Sequence, residues 1–215
     1  MILQPDFGQT VLLSAVWFFQ LFLAGLPMFT VALFVVLGVV AATVAYTTIP
    51  HVASRIDRFL DPESGDTYQI DTAINAFVNG GLFGRGPGEG TVKRVLPDAH
   101  TDFVFAVAGE EFGMLVCVAL VGLFAFIVLR SFARLFNETD PFIQLAGTGL
   151  IVQFGLQAVI NMGVNVHLLP SKGMTLPFIS YGGSSLLALA ITMGLALACT
   201  RFRPGLTTIT RRPVR

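Results

Sequence analysis

Three acids, one histidine and a row of side-chain amides are the groups in this 215-residue chain whose setting invites chemistry. Asp102 stands in Leu96–Gly113, LPDAHTDFVFAVAGEEFG, where a polar stretch enters a long apolar run; Glu110 and Glu111 follow inside that run. Carboxylates at a membrane boundary or within a span are costly, and they are kept mostly for catalysis, transport or pairing. From local pattern alone Asp102 has two readings, a helix cap or an acid–base group. At 100° per residue Ala106, Gly109 and Gly113 share its helix face, which leaves room for a groove, although small residues also serve close helix packing. Glu110 and Glu111 lie about 12 Å further along the helix axis. They must face the protein interior, a cavity or a partner, and structural anchoring suits them at least as well as catalysis.

Gln153, Gln157, Asn161 and Asn165 recur at intervals of four and form an amide stripe on one helix face. Such a stripe serves interhelical hydrogen bonding, or it lines a polar groove. Leu169–Ser185, LPSKGMTLPFISYGGSS, is dense in breakers and predicts an ordered, re-entrant-like turn. Lys172 is its one basic residue and could meet a phosphate or an acid. The run Gly80–Gly90, GGLFGRGPGEG, lacks the Lys-Ser/Thr and the preceding strand of a nucleotide loop, so a flexible loop is expected there. A hydrolytic triad of His100, Asp102 and Ser180 or Ser184 lacks a nucleophile elbow. His51, His100 and His167 are too scattered for metal-ligand spacing.

The elements that must position these groups are membrane helices. Hydrophobic residues make up 54% of the chain and charged ones 12%, against about 25% charged in soluble domains; mean hydropathy is +0.76. Five stretches suit spans of about 30 Å: roughly 10–24, 28–46, 103–129, 142–162 and 186–200. The first two, joined by Gly25-Leu26-Pro27, make a tight hairpin. A polar loop, about 51–102, holds most of the acids, and loops of that length are usually functional. Arg130 and Arg134 after the third span, and the arginines of the tail, about 201–215, mark the cytoplasmic side. The long loop and the 164–180 turn then lie outside together. Cys117 and Cys199 fall in apolar stretches and read as small buried hydrophobes. No cleavable signal peptide is expected at the start, and with a net charge of zero and no basic run nothing suggests nucleic acid.

QPDFG near the start, YQID with the glycines after it, LPDAHTDFVFAVAGEEFG and LPSKGMTLPFISYGGSS occur in the order and spacing of one family. Along essentially its whole length the chain resembles the SEDS family of membrane glycosyltransferases, the FtsW, RodA and SpoVE proteins. Lys172-Gly173-Met174-Thr175 looks like the division-type members, where elongation-type members usually carry a Thr-Gly-Ile-Pro type of sequence. The resemblance implies an all-α polytopic helix bundle with a long extracytoplasmic loop. About five of the family's ten transmembrane helices would be present, residues 1–215 forming the C-terminal part of a single membrane domain whose substrate cavity uses both halves.

It further implies polymerisation of lipid II into β-1,4 glycan strands at the division septum, on the outer face of the bacterial cytoplasmic membrane, with release of undecaprenyl pyrophosphate. Asp102 becomes the catalytic residue. An ordinary Asp, with a pKa of about 3.9, is a poor base; desolvation raises that value and cationic neighbours lower it. Arg55, Arg58, Lys93, Arg94 and Lys172 are the candidates to meet the pyrophosphate, with His100 and Ser180 as further substrate-binding candidates. A divalent cation, magnesium or manganese, could join them without leaving a mark in the sequence. Glu110, Glu111 and the four amides are left as supporting residues. The expected partners are a class B penicillin-binding protein and the regulatory proteins of the division complex. Two other readings of the same residues are a lipid II flippase and a non-catalytic division scaffold.

Overall fold

The computed structural model describes residues 7–60, 68–170 and 173–201. These residues form helices and connecting turns, with no strand among them. In chain order the helices are α1 (Phe7–Leu23), α2 (Met28–Thr48), α3 (Pro50–Leu60), α4 (Tyr68–Gly80), α5 (Val104–Leu135), α6 (Pro141–Asn165) and α7 (Gly183–Thr200), with a 3₁₀ turn at Val92–Arg94. By length and composition α2, α5, α6 and α7 can each cross a membrane, whereas the apolar α1 is shorter. The fold is a polytopic helical membrane bundle.

Local sequence explains the boundaries. Between α1 and α2, Gly25 takes a positive φ of 88°, open to glycine without a Cβ penalty, and Pro27 stands extended at the cap of α2. At the start of α6, the Asp140 carboxylate accepts from Phe142 N at 2.9 Å, and Pro141 fills the first helical position, a combination that satisfies or removes orphan donors. The α2 helix buries none of its residues, so its apolar surface is left to lipid or to other protein.

The segment expected as a polar loop, about 51–102, is largely structured. Helix α3 is amphipathic, with Val52, Ile56 and Leu60 at helical spacing, and Tyr46 at the end of α2 donates to Asp57 at 2.8 Å. Helix α4 packs against the first part of α5. Ala73, Ala76, Val92, Leu96, Ala99, Phe103, Ala106 and Val164 form one core cluster there. A second cluster deeper in the bundle joins Phe105, Cys117, Phe124, Phe154, Ala158, Met162, Leu176 and Leu189.

Helix α5 is interrupted. At Gly113 the backbone turns to φ 81° and ψ 177°, dividing the run into a short half before it and a long half after it. Residues 81–86 pair with the break. Arg85 N and Gly86 N donate to the carbonyls of Glu110 (2.9 Å) and Glu111 (3.0 Å); Met114 N and Leu115 N donate to those of Gly81 (2.9 Å) and Leu82 (3.3 Å). The glycine-rich run expected as a flexible loop is therefore the structure that satisfies the broken helix. Glycine is required for the approach, since a Cβ on Gly84 would lie 2.3 Å from the Glu111 carbonyl oxygen.

Candidate active site

Asp102 sits in a turn begun by Pro97-Asp98, a pair that favours turns. Asp98 adopts φ 56°, and its carbonyl accepts from Thr101 N, Asp102 N and Phe103 N at 3.0, 3.0 and 3.2 Å. Phe103, not Asp102, holds the cap position of α5, and no side-chain cap bond forms there. The capping reading of Asp102 is thus set aside, because the turn closes one residue too late for it. The carboxylate is half-buried. Burial raises its pKa above the usual carboxylate value, and the neighbouring Asp98 raises it further. Both effects favour the protonated form.

The backbone at Asp102 is held by the amide row of α6. Asn161 and Asn165 both donate Nδ2 hydrogens to the Asp102 carbonyl, at 2.8 and 2.9 Å. Asn165 Oδ1 accepts Ala106 N at 3.0 Å in the first turn of α5, an N–H that also donates to the Phe103 carbonyl at 3.0 Å. Asn161 also donates to the Met174 carbonyl at 2.6 Å, and Gln157 to the Thr175 carbonyl at 3.0 Å. The stripe therefore clips the start of α5 and the 173–176 segment side by side. Gln153, two turns below Asn161, is only half-buried. The NH2 groups of the row's three outer amides donate to carbonyls of the protein itself, while Asn161 Oδ1 is buried without a partner.

The second motif closes over the first. Ser180 Oγ accepts Leu176 N at 2.7 Å and donates to the Thr101 carbonyl, while Tyr181 N donates to the His100 carbonyl at 2.8 Å. Gly173 lies so near the acid that a Cβ there would be 3.2 Å from Asp102 Oδ2. Phe178 is held at φ 62°, a region costing non-glycine residues on the order of 1–3 kcal/mol. His100, Val104, Phe178, Ser180, Tyr181 and Leu186 line a neighbouring cavity of about 610 Å³.

The small-residue face beneath Asp102 is not an open groove. Phe77 of α4 fills it, since a Cβ on Gly109 would lie 2.4 Å from that ring and one on Gly80 would lie 2.0 Å from the Gly109 carbonyl oxygen. Glu110 is 0% exposed. Its carboxylate accepts Thr91 N at 3.0 Å, Thr91 Oγ1 at 3.3 Å and Val92 N at 3.1 Å. Glu111 pairs with Lys93, which also donates to the Gly88 carbonyl at 3.0 Å. Lys93, a candidate for the phosphate, is thus held by the acid next to Glu110 in this structure. Arg94 is exposed. Arg55 and Arg58 lie on α3 with side chains outside the described set, and Lys172 lies outside the described residues.

Asp98, Thr91, Gly113 and Gly173 were not singled out as site residues from sequence. Pro97-Asp98 carried a turn signal that could have found the first. Gly113 reads as an ordinary small residue in an apolar run, and nothing local marks Thr91 or the closeness of Gly173 to the acid.

A half-buried acid in an amide-braced turn at one end of a broken membrane helix defines a polytopic membrane protein with a built site at its bundle end. A family model described as "Cell cycle protein", FTSW_RODA_SPOVE, matches residues 1–204, and the chain belongs to that family. It is 49% identical over 208 residues to a probable peptidoglycan glycosyltransferase FtsW of Caulobacter vibrioides, covering 95% of this chain and 53% of that protein. It is 42% identical over 204 residues to the protein of that name from Saccharophagus degradans, covering 91% and 51%. The chain thus spans about half the length of the curated relatives it matches. A solved chain from a peptidoglycan synthase complex that coordinates polymerization and crosslinking superposes with a TM-score of 0.71 at 31% identity, over 95% of this chain and 58% of that one. The crystal structure of a mutant of the rod shape determining protein RodA from Thermus thermophilus gives 0.61 at 31% identity, over 93% and 51%.

Proposed function

We propose that this chain carries the catalytic base of a peptidoglycan glycosyltransferase, polymerising lipid II into β-1,4 glycan strands on the outer face of the cytoplasmic membrane at the division septum. The observation that carries the reading is the half-buried Asp102, raised in pKa and braced through its own carbonyl by Asn161 and Asn165. The similarity to probable peptidoglycan glycosyltransferases of the FtsW type supports the same class of reaction.

In the reaction, the Asp102 carboxylate takes the proton of the acceptor sugar's 4-hydroxyl. That oxygen forms a bond to the anomeric carbon of the donor muramyl unit while the bond from that carbon to the pyrophosphate oxygen breaks. Inversion converts the α-linked donor into a β-linked product, the electron pair leaves with undecaprenyl pyrophosphate, and the proton rests on Asp102. A raised pKa brings the base nearer the working pH, where proton transfer is most effective. Arg94, Arg55, Arg58 and Lys172 are the proposed cations for the leaving pyrophosphate; Lys93 is paired with Glu111. No three His, Cys, Asp or Glu side chains gather as a metal cluster among the described residues. A magnesium or manganese ion, if bound, would take few ligands from the protein and would supply positive charge for the departing pyrophosphate.

A class B penicillin-binding protein and division regulators are the proposed partners, a reading supported by the similarity to a chain of a synthase complex. The flippase reading is less well supported, since the Gln157, Asn161 and Asn165 amides donate to backbone carbonyls of the protein itself. The test is incubation of the purified protein with labelled lipid II in detergent. Polymer that disappears in Asp102→Asn is the expected result; no polymer, or polymer that persists in the variant, overturns the proposal.

A further inference from the structure

The half-helix that follows Asp102 cannot inherit its position from the rest of α5. In an unbroken helix, residue 104 would be fixed by rigid continuation through to Leu135; the break at Gly113 severs that continuity. Isolated helices shorter than about 12–15 residues are marginal in water, so this short half depends on what it is tied to. Besides the packing of Phe103, Phe105 and Ala106 in the two core clusters and the bonds from Ser180 and Tyr181 to the preceding turn, the ties at its start are Asn161 and Asn165. At its far end they are the backbone bonds of residues 81–86 and one side chain, Glu110.

Glu110 is an unusual tie. Its carboxylate is excluded from solvent, and the donors that meet it are the two backbone N–H groups and one hydroxyl of Thr91 and Val92. The adjacent cation, Lys93, goes to Glu111 instead. A buried anion held by oriented N–H donors tolerates little displacement, because moving it leaves both the charge and the donors unsatisfied. Oε1 accepts all three donors and Oε2 shares the Val92 N–H, a two-oxygen contact that limits rotation as well as height.

We infer that residues 104–112 form a separately held unit and that Glu110 is its positioning residue, setting the height and rotation of Asp102 through the Thr91–Val92 turn. The inference rests on the reading of Asp102 as the base of the transfer reaction. The folded outer segment thereby gains a role, since α4 and its following loop are the mount on which the reacting end of α5 is set.

The test compares the wild type with Glu110→Gln, which keeps size and one acceptor but turns an NH2 toward an N–H donor. Turnover of labelled lipid II is measured alongside amide hydrogen exchange of the whole chain in detergent. A fall in kcat of about tenfold, equivalent to roughly 1.4 kcal/mol in the barrier, is expected with KM within about twofold. Exchange should accelerate at residues 101–107, far from the altered side chain. Thr91→Val, which removes only the hydroxyl donor, should shift both readouts in the same direction by less. Glu111→Gln, which breaks the neighbouring ion pair, should leave exchange at 101–107 as in the wild type. Faster exchange confined to 88–94 with unchanged kcat would show that Glu110 only folds the loop, overturning the inference. A fall in kcat with unchanged exchange at 101–107 would overturn it equally. If the wild type shows no turnover, the transferase reading fails, and the exchange at 101–107 alone decides the positioning role.

Discussion

At the scale of the residue, the environment of Asp102 makes two separable demands. Burial and Asp98 raise its folded-state pKa, so ionisation is harder in the folded protein than in the unfolded one. For a raised carboxylate the stabilising contribution is that of the protonated form: it is complete below the unfolded value and is lost as pH rises through the folded value. Asp102→Asn should therefore melt higher than the wild type at neutral pH, the difference vanishing below the ordinary carboxylate pKa; a scanning melt across that range checks it. The same sign places the acid limb of polymerisation, read from the pH profile of kcat/KM, above the ordinary value of about 3.9. Asn165 makes the opposite trade. Fully buried and bonded on both amide atoms, it should cost about 1–3 kcal/mol on replacement by Ala for each group left unsatisfied, measured by reversible unfolding in mixed detergent.

At the scale of the element, close backbone approach is the organising fact. Gly84 has a φ of 81° as well as its contact with the Glu111 carbonyl, so Gly84→Ala should lower the melting temperature markedly and expose residues 81–90 to protease. The spanning helices α2, α5, α6 and α7 were legible in the sequence because long apolar runs have few other solutions. Helices α3 and α4 were not, since each is short and its apolar stripe is interrupted, by charges in α3 and by Gln69, Asp71, Thr72, Asn75 and Asn79 in α4. The break in α5 escaped for a different reason. Gly113 is preceded and followed by good helix formers, and only the distant partners Gly81, Leu82 and Gly84 make an extended glycine favourable there. The amide row was visible by its spacing; which of its two uses applied depended on Met174, Thr175 and Asp102 arriving opposite it. Lys93 shows the limit at the site itself, where charge type was readable and the acid that claims it was not.

At the scale of the whole molecule, the bundle leaves much apolar surface outward. Trp17 is 54% exposed, stacks edge-on to Phe34 across the α1–α2 hairpin at 5.8 Å, and is the chain's single tryptophan. Brominated acyl chains in reconstituted bilayers should quench its fluorescence strongly, whereas quenching no greater than that by aqueous iodide would mean that protein covers this face.

Helix α5 has 32 residues, about 48 Å at 1.5 Å per residue, more than the roughly 30 Å of hydrocarbon it must cross. The long half from Met114 to Leu135 alone accounts for about 33 Å. If Arg130 and Arg134 hold the cytoplasmic end at the interface, Gly113 marks the opposite shore of the oily layer. Glu110 and Glu111 then stand among headgroups rather than acyl tails, and the short half-helix rises like a pier above them. Asp102 stands at its tip, and bilayer thickness becomes the ruler against which the altitude of that acid is set.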